Sequence, residues 1–370
     1  MLEIDSKFQN KFNKIYIDQA TTGSKVAQRF MNLFPDKCEV IQGPPPNYTK
    51  GELSSEQFAE SKKQVHITNF QGQFFKKCPG FHKGMACCNY FVLNLGFQCD
   101  MDCSYCYLQS FINSNYLTIY ANVDMALEEL KQMEHLKGQP MRVGTGEVID
   151  SLSLDPLTLY SHDLIQFFKD YPTWKLEFKT KSAYVDQFLD CDHAGNVIVS
   201  WSINPQNIIA AEEHGTASFE ERIQAARKCV DKGYQVSFHI DPMIWHQGWE
   251  KNYKTLVDRI TTEFQPKDIP YLSVGALRFQ PEQKNIMRER FGMKSLVNQG
   301  ETFKSQDGKL RYDYSLRQSM FEFILKGFRN HSKEWKIFMC METPETWVDT
   351  FGHNPFHEEP LRELFKPIRA

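Results

Sequence analysis

Asn94-Leu-Gly-Phe-Gln-Cys99-Asp-Met-Asp-Cys103-Ser-Tyr-Cys106-Tyr107-Leu-Gln109 sets three thiols within eight residues, directly after a strand-like run over residues 90–95. Thiols at that spacing can all turn inward on one loop and grip a single inorganic centre. Their number carries the information. A structural zinc or a simple electron-transfer cluster normally takes four protein ligands, often four cysteines. Three thiolates on a four-iron cluster leave one iron open to bind a substrate or cofactor. A zinc knuckle that borrows a fourth ligand from Cys87, Cys88 or His82 is the simpler alternative, and spacing alone leaves it open.

From Tyr90 onward, strand-like and helical segments alternate as in a parallel sheet of βα units. Strands are expected over residues 90–95, 141–143, 176–180, 197–202, 236–240 and 271–278, and helices over 124–134, 161–168, 219–232 and 252–262. The third helix opens with a capping box, Ser218 and Glu221, and stops at Gly233. The chain therefore reads as α/β, a partial (β/α)6 barrel whose site lies at the C-terminal strand ends. Upstream, strands at 15–17 and 39–41 flank a helix over 24–34, and Gly43-Pro44-Pro45-Pro46 closes the unit. Residues 1–85 thus read as a small N-terminal α/β appendage, 86–280 as the barrel, and 281–370 as a C-terminal region packed on it. That last region holds a hairpin over 301–312, signalled by Asp307-Gly308, then a helix over 316–328 and a strand over 336–340.

At 370 residues the chain can bury a full core. No run of about 18 apolar residues exists, which argues against a spanning helix and a membrane partner. The start, Met1-Leu-Glu-Ile-Asp-Ser-Lys, lacks the features of a signal peptide, so a cytoplasmic protein is expected. In that compartment the ten cysteines read as thiols and metal ligands rather than as a disulfide framework. Cys78, His82, Cys87 and Cys88 could hold a second centre, but their spacing is irregular and ordinary thiols packed near the cluster loop are the plainer reading. A formal net charge of −3 argues against coating nucleic acid by bulk electrostatics. One segment is locally basic: residues 278–317 carry nine Lys or Arg against five Asp or Glu.

The cysteine spacing, with an aromatic before the last thiol, resembles the radical S-adenosylmethionine superfamily. A narrower likeness follows from Cys103-Ser-Tyr-Cys106-Tyr107-Leu-Gln109, Val199-Ser-Trp-Ser202-Ile-Asn204, Gly215-Thr-Ala-Ser-Phe-Glu-Glu-Arg222, Asp241-Pro-Met-Ile-Trp-His-Gln-Gly-Trp-Glu250 and Arg278-Phe279. Together these are similar, in order and spacing, to the spore photoproduct lyase family of DNA repair enzymes. The resemblance implies a [4Fe-4S] cluster on Cys99, Cys103 and Cys106 that chelates S-adenosylmethionine, and a carbon–carbon lyase that undoes a methylene-bridged thymine dimer in DNA. It also implies a reductant such as flavodoxin or ferredoxin, and a monomer. Tyr105 and Tyr107 match tyrosines that help pass the radical back. Gly146 and Glu147 resemble the Gly-Glu motif that receives the amino group of S-adenosylmethionine. Lys181, Ser202 and Asn204 match groups that meet its carboxylate or ribose, and Ser151 is a further candidate.

Two departures stand out. The family's hydrogen donor is a cysteine after the second strand, yet no cysteine lies between Cys106 and Cys191. Tyr107, Cys88 and Cys340 are the substitutes the sequence offers. His239 and Asp241 also stand where the family has apolar or small residues. On a strand both face one side, so they are candidates for a lumenal proton donor or a contact to a polar substrate. A buried pair bonded to loops is the alternative. In the hairpin, Lys304, Lys309, Arg311 and Arg317 are candidates for phosphate contacts, with Phe303 or Tyr312 packed against opened bases. Hydrogen abstraction from another nucleotide-like or polar substrate stays open. So does a non-catalytic, metal-bearing nucleic-acid-binding or redox-sensing protein.

Overall fold

The computed structural model describes residues 6–49, 51–80, 84–86 and 88–353. Eight strands build the main sheet: β1 (Phe75–Lys77), β2 (Tyr90–Leu93), β3 (Met141–Gly144), β4 (Trp174–Thr180), β5 (Val197–Ser202), β6 (Gln235–Met243), β7 (Leu272–Ala276) and β8 (Ile337–Met339). Their order across the sheet follows the chain, from β1 at one edge to β8 at the other. β1 runs antiparallel to β2, and every later pairing is parallel. Helices Val123–Lys131, Tyr160–Phe168, Phe219–Asp231, Trp249–Glu263 and Tyr314–His331 supply crossovers. Every residue of β5 is buried, as expected of a parallel strand with both faces covered.

The sheet curls until distant strands meet across its concave side. Glu177 on β4 accepts a hydrogen bond from Tyr271 Oη beside β7 at 2.9 Å. Arg142 on β3 lies over the rings of Tyr90 (4.7 Å), Tyr271 (4.8 Å) and Phe338 on β8 (5.7 Å). The result is a half-barrel with a polar lumen. Gly144 is required at the end of β3, because a Cβ there would lie 1.6 Å from the Tyr90 hydroxyl.

All six expected barrel strands are present, and the expected capping box forms, with Ser218 Oγ accepting from Glu221 N. Two more strands join them: β1 comes from before residue 85 and β8 from the C-terminal region. A second, five-stranded sheet runs Cys38–Ile41, Lys14–Asp18, Gln64–Thr68, Leu117–Tyr120, Gly96–Phe97. Its last two strands lie beyond residue 86, so the sheets exchange chain across the boundary read from sequence. The hairpin pairs Thr302–Lys304 with Leu310–Tyr312, and Arg278–Phe279 adds a third strand. No helix among the described residues is long and apolar enough to cross a membrane.

Candidate active site

The thiol loop leaves the C-terminal end of β2 and is held from all sides. Gly96–Phe97 pairs with Leu117–Tyr120, and Asp102–Cys103 pairs with Glu213–His214. Lys62 Nζ donates to the carbonyls of Cys99 (2.8 Å) and Met101 (2.6 Å). Gln283 Nε2 donates to the carbonyls of Tyr105 and Cys106, both at 3.0 Å. Arg290 bridges Asp102 Oδ2 and Gln109 Oε1, each at 2.7 Å. Backbone groups that a loop would leave to water are thus satisfied by buried side chains. The thiols are therefore presented on a rigid frame.

Cys106 lies in the electrostatic neighbourhood of both Cys99 and Cys103. Burial pushes the Cys99 and Cys103 thiols well above their usual range, and metal binding must displace those protons. Among the described residues no three His, Cys, Asp or Glu side chains converge as they would on one metal ion. Three soft thiols spread around one loop suit the corners of an iron–sulfur cluster. Of the alternative fourth ligands, Cys88 accepts from Arg142 Nη2 at 3.0 Å, while His82 and Cys87 lie outside the described residues.

The cofactor candidates gather at the ends of β3, β4 and β5. Gly146 passes so close to β4 that a Cβ would sit 2.7 Å from the Lys179 carbonyl and 3.0 Å from Ser151 Oγ. Glu147 faces β2 and β1: Asn94 Nδ2 donates to its carboxylate at 2.5 Å, and Lys76 Nζ lies 3.4 Å away. Asn94 Oδ1 is buried without a partner among the described residues, an acceptor left for a bound ligand. Lys181 points at the thiol loop, its Nζ 5.7 Å from the Tyr105 ring centroid. Burial opposes its charge, but Cys103 and Glu213 outweigh burial and raise its pKa. Ser202 is buried, and its carbonyl accepts from Arg222. Ser151 Oγ accepts from Thr145 Oγ1 (2.7 Å) and Lys179 N (2.9 Å), so it serves the loop itself. Asn204 is spanned by Glu213 and Tyr253, both at 3.0 Å.

The other candidates have internal partners too. Tyr105 donates to Glu213, which also pairs with buried Arg222 at 2.7 Å. Tyr107, 44% exposed, donates to the Glu147 carbonyl at 2.7 Å. It links the thiol loop to the Gly-Glu segment. His239 is held between Ser273 Oγ (2.5 Å) and Glu177 Oε1 (2.8 Å). Asp241 forms a bidentate pair with Arg278, at 2.8 and 3.1 Å. The alternative of a buried, bonded pair therefore describes both residues. In the hairpin, Arg311 is buried against Asp307 (2.6 Å) and Glu342 (3.5 Å), Arg317 bonds Glu342 and the Tyr312 carbonyl, and Tyr312 is buried. Lys304 and Phe303 remain exposed there.

Sequence reasoning missed Asp150, whose carboxylate accepts from Leu152 N, Ser153 N, Thr180 Oγ1 and Lys181 N at 2.6–3.0 Å. It ties the loop after β3 to the end of β4 through Thr180 and the Lys181 backbone. An aspartate two to three residues before its backbone donors was the available signal.

The sequence model of the spore photoproduct lyase family matches residues 48–333. The chain belongs to this family. The Bacillus subtilis spore photoproduct lyase is 28% identical over 261 residues, 69% of this chain and 72% of that one. A Geobacillus spore photoproduct lyase is 30% identical over 205 residues, 54% of this chain and 60% of the relative's length. Among solved structures, a spore photoproduct lyase mutant with bound AdoMet and dinucleoside spore photoproduct superposes with a TM-score of 0.76. That match covers 88% of this chain and 98% of the other at 21% identity, so the two share a fold.

Proposed function

We propose that this family member is a radical S-adenosylmethionine lyase that repairs a thymine photoproduct in DNA. The observation that carries the reading is the rigid three-thiol loop at the end of β2, faced by Lys181 and linked through Tyr107 to the Gly146-Glu147 segment. When bound, the cluster and S-adenosylmethionine supply a 5'-deoxyadenosyl radical that takes a hydrogen atom from the lesion. Cys99, Cys103 and Cys106 hold the cluster. Glu147 accepts the cofactor's ammonium, a charge-assisted bond, and Gly146 lets the cofactor lie against the backbone. Lys181, kept cationic by its neighbours, meets the carboxylate. The polar lumen is filled by Arg142, Glu177, His239 and Tyr271, so the substrate sits at the strand ends and water is excluded below it.

Lys304 and Phe303 on the hairpin suit a phosphate contact and a packing contact beside the extruded lesion. A small reduced iron–sulfur or flavin protein supplies the electron, the enzyme acts as a monomer, and cytoplasm is its compartment. The test is an anaerobic assay of reconstituted protein with S-adenosylmethionine, dithionite and dinucleoside spore photoproduct. Restored dithymidine is the expected product. Formation of 5'-deoxyadenosine without dithymidine would refute this substrate, and failure to form either would refute the radical chemistry.

A further inference from the structure

The five-stranded sheet has two unlike faces. Ile15, Ile17, Val65, Ile67, Leu117 and Ile119 are buried on one of them in a single apolar cluster. Strand side chains alternate, so His66, Thr68, Thr118 and Tyr120 turn to the other face, with His66 across from Thr118 and Thr68 across from Tyr120. That face opens on a cavity of about 410 Å³. It reaches the C-terminal strand ends at Thr68 and Tyr120 and the loop over residues 69–72, where open α/β sheets take their ligands. None of the S-adenosylmethionine candidates lines it.

The walls select a class of ligand. Among the described residues no Lys, Arg, Asp or Glu lines the cavity. The Asp18 carboxylate is taken up by His66 Nε2 (2.7 Å) and Thr68 Oγ1 (2.5 Å). A phosphate or carboxylate would therefore find no fixed cation on the walls, and an ammonium no carboxylate. Flat surface comes from Tyr48, Phe70, Phe97 and Tyr120, and Phe70 and Tyr120 stack with ring centroids 4.4 Å apart. Asn69, Gln71 and Asn113 add side-chain amides that have no hydrogen-bond partner among the described residues. Rings for stacking, with amides that both donate and accept, suit a neutral planar heterocycle with mixed donors and acceptors on its edge. That is the chemistry of a nucleobase.

Phe97 connects the cavity with the thiol loop. Its ring centroid lies 6.1 Å from that of Phe111, which lies 5.9 Å from that of Tyr107. Phe111 is 53% exposed and Tyr107 44%. Tyr107 in turn bonds the Glu147 carbonyl. Exposed rings in succession make a platform on which the bases of an opened strand stack.

We propose that the cavity seats an unstacked nucleobase of the strand that carries the lesion, with Phe97, Phe111 and Tyr107 leading from it to the active site. Asn69 and Asn113 bond the edge of that base, and the aromatic walls cover its face. The inference takes DNA as its ligand from the repair reading, but binding at the cavity requires neither cluster nor S-adenosylmethionine.

The test uses the apoprotein and a short single-stranded oligothymidylate carrying one 5-iododeoxyuridine. Irradiation should crosslink the iodinated base to peptides within residues 66–72 or 113–120, read by mass spectrometry. Asn69→Ala, Asn113→Ala and Phe111→Ala should each weaken binding of a fluorescein-labelled oligothymidylate about threefold or more in anisotropy titrations at fixed salt. Val348→Ala, at an exposed position on the C-terminal helix, should leave it unchanged. Crosslinks confined to other peptides, or parental affinity in both asparagine variants, overturn the proposal whether or not the protein restores dithymidine. Free 5-iododeoxyuridine that crosslinks there as well as the oligonucleotide does at equal concentration overturns the strand as the source and makes the cavity a nucleoside site. Crosslinks at the cavity in a protein that restores no dithymidine support the base site and end the repair reading alone.

Discussion

Asp241 decides between two views of the fifth barrel strand expected from sequence: a catalytic carboxylate, or the counter-charge that keeps Arg278 in place. The side chains of Asp241 and Arg278 are only 8% and 13% exposed. Burial works against both charges, but Arg278 outweighs it and holds the Asp241 carboxyl well below the usual carboxylate range. Asp241 raises the guanidinium in turn. Two charge-assisted hydrogen bonds are lost in Asp241→Ala, and a buried cation is left near Lys309 without its partner. Breaking a buried pair in this way costs about 3–5 kcal/mol. Asp241→Asn keeps one acceptor and loses the charge, for a loss of roughly half that. Urea unfolding of the apoprotein, followed by circular dichroism and extrapolated linearly, measures both. The sign with pH follows from the depressed pKa. The pair's contribution is full above the unfolded value near 4 and is lost as pH falls through the lower folded value, so Asp241→Asn should flatten the acid limb. An Asp241→Asn protein as stable as the parent that no longer restores dithymidine would refute the structural role and favour a catalytic one.

Alanine at any one of Cys99, Cys103 or Cys106 should lower iron per chain after reconstitution and abolish 5'-deoxyadenosine formation; a variant that retains both would remove the central assignment. Gly146→Ala drives a Cβ to 2.7 Å from the Lys179 carbonyl. A backbone shift costing about 1–3 kcal/mol should follow, with weaker S-adenosylmethionine binding by calorimetry and unchanged iron content. Unchanged affinity would mean the loop moves freely. Burial, with Lys179 and Arg142 nearby, holds His239 below its usual pKa despite Glu177. The unfolded chain then takes up the proton first as pH falls, so stability is full above about 6.5 and declines below it. His239→Gln should make that decline shallower in urea titrations at a series of pH values; an identical slope would place the imidazole's protonation outside the folding equilibrium.

What could be read from sequence was local. The thiol spacing, the capping box at Ser218 and Glu221, the Asp307-Gly308 turn and the apolar runs of the six strands each depend on residues within a few positions of one another. What could not be read depends on the curl of the sheet. Asp241 meets Arg278 across 37 residues, and Glu177 meets Tyr271 across 94. Charge counting placed Arg311 and Arg317 on a basic surface, but Asp307 and Glu342 consume them inside. A basic segment therefore gives no phosphate-binding face until its acidic partners are known.

The two edges of the barrel were unequally legible in the sequence. β1 is three residues long and runs antiparallel, and β8 is three residues long and follows an 18-residue helix. β1 lacks the length and alternation that mark a strand in sequence, whereas β8 falls within the strand expected over 336–340 but gives no sign there that it joins the barrel sheet. Yet these two short edges carry the chain that closes the lumen, with Cys78 immediately past β1 and Cys340 immediately past β8. The curl brings stretches far apart in the chain together, as where Ala86 N ahead of β2 donates to the Glu342 carbonyl beyond β8 at 2.9 Å. Which side chains meet at the strand ends is therefore set by the closed half-barrel and not by their order along the chain.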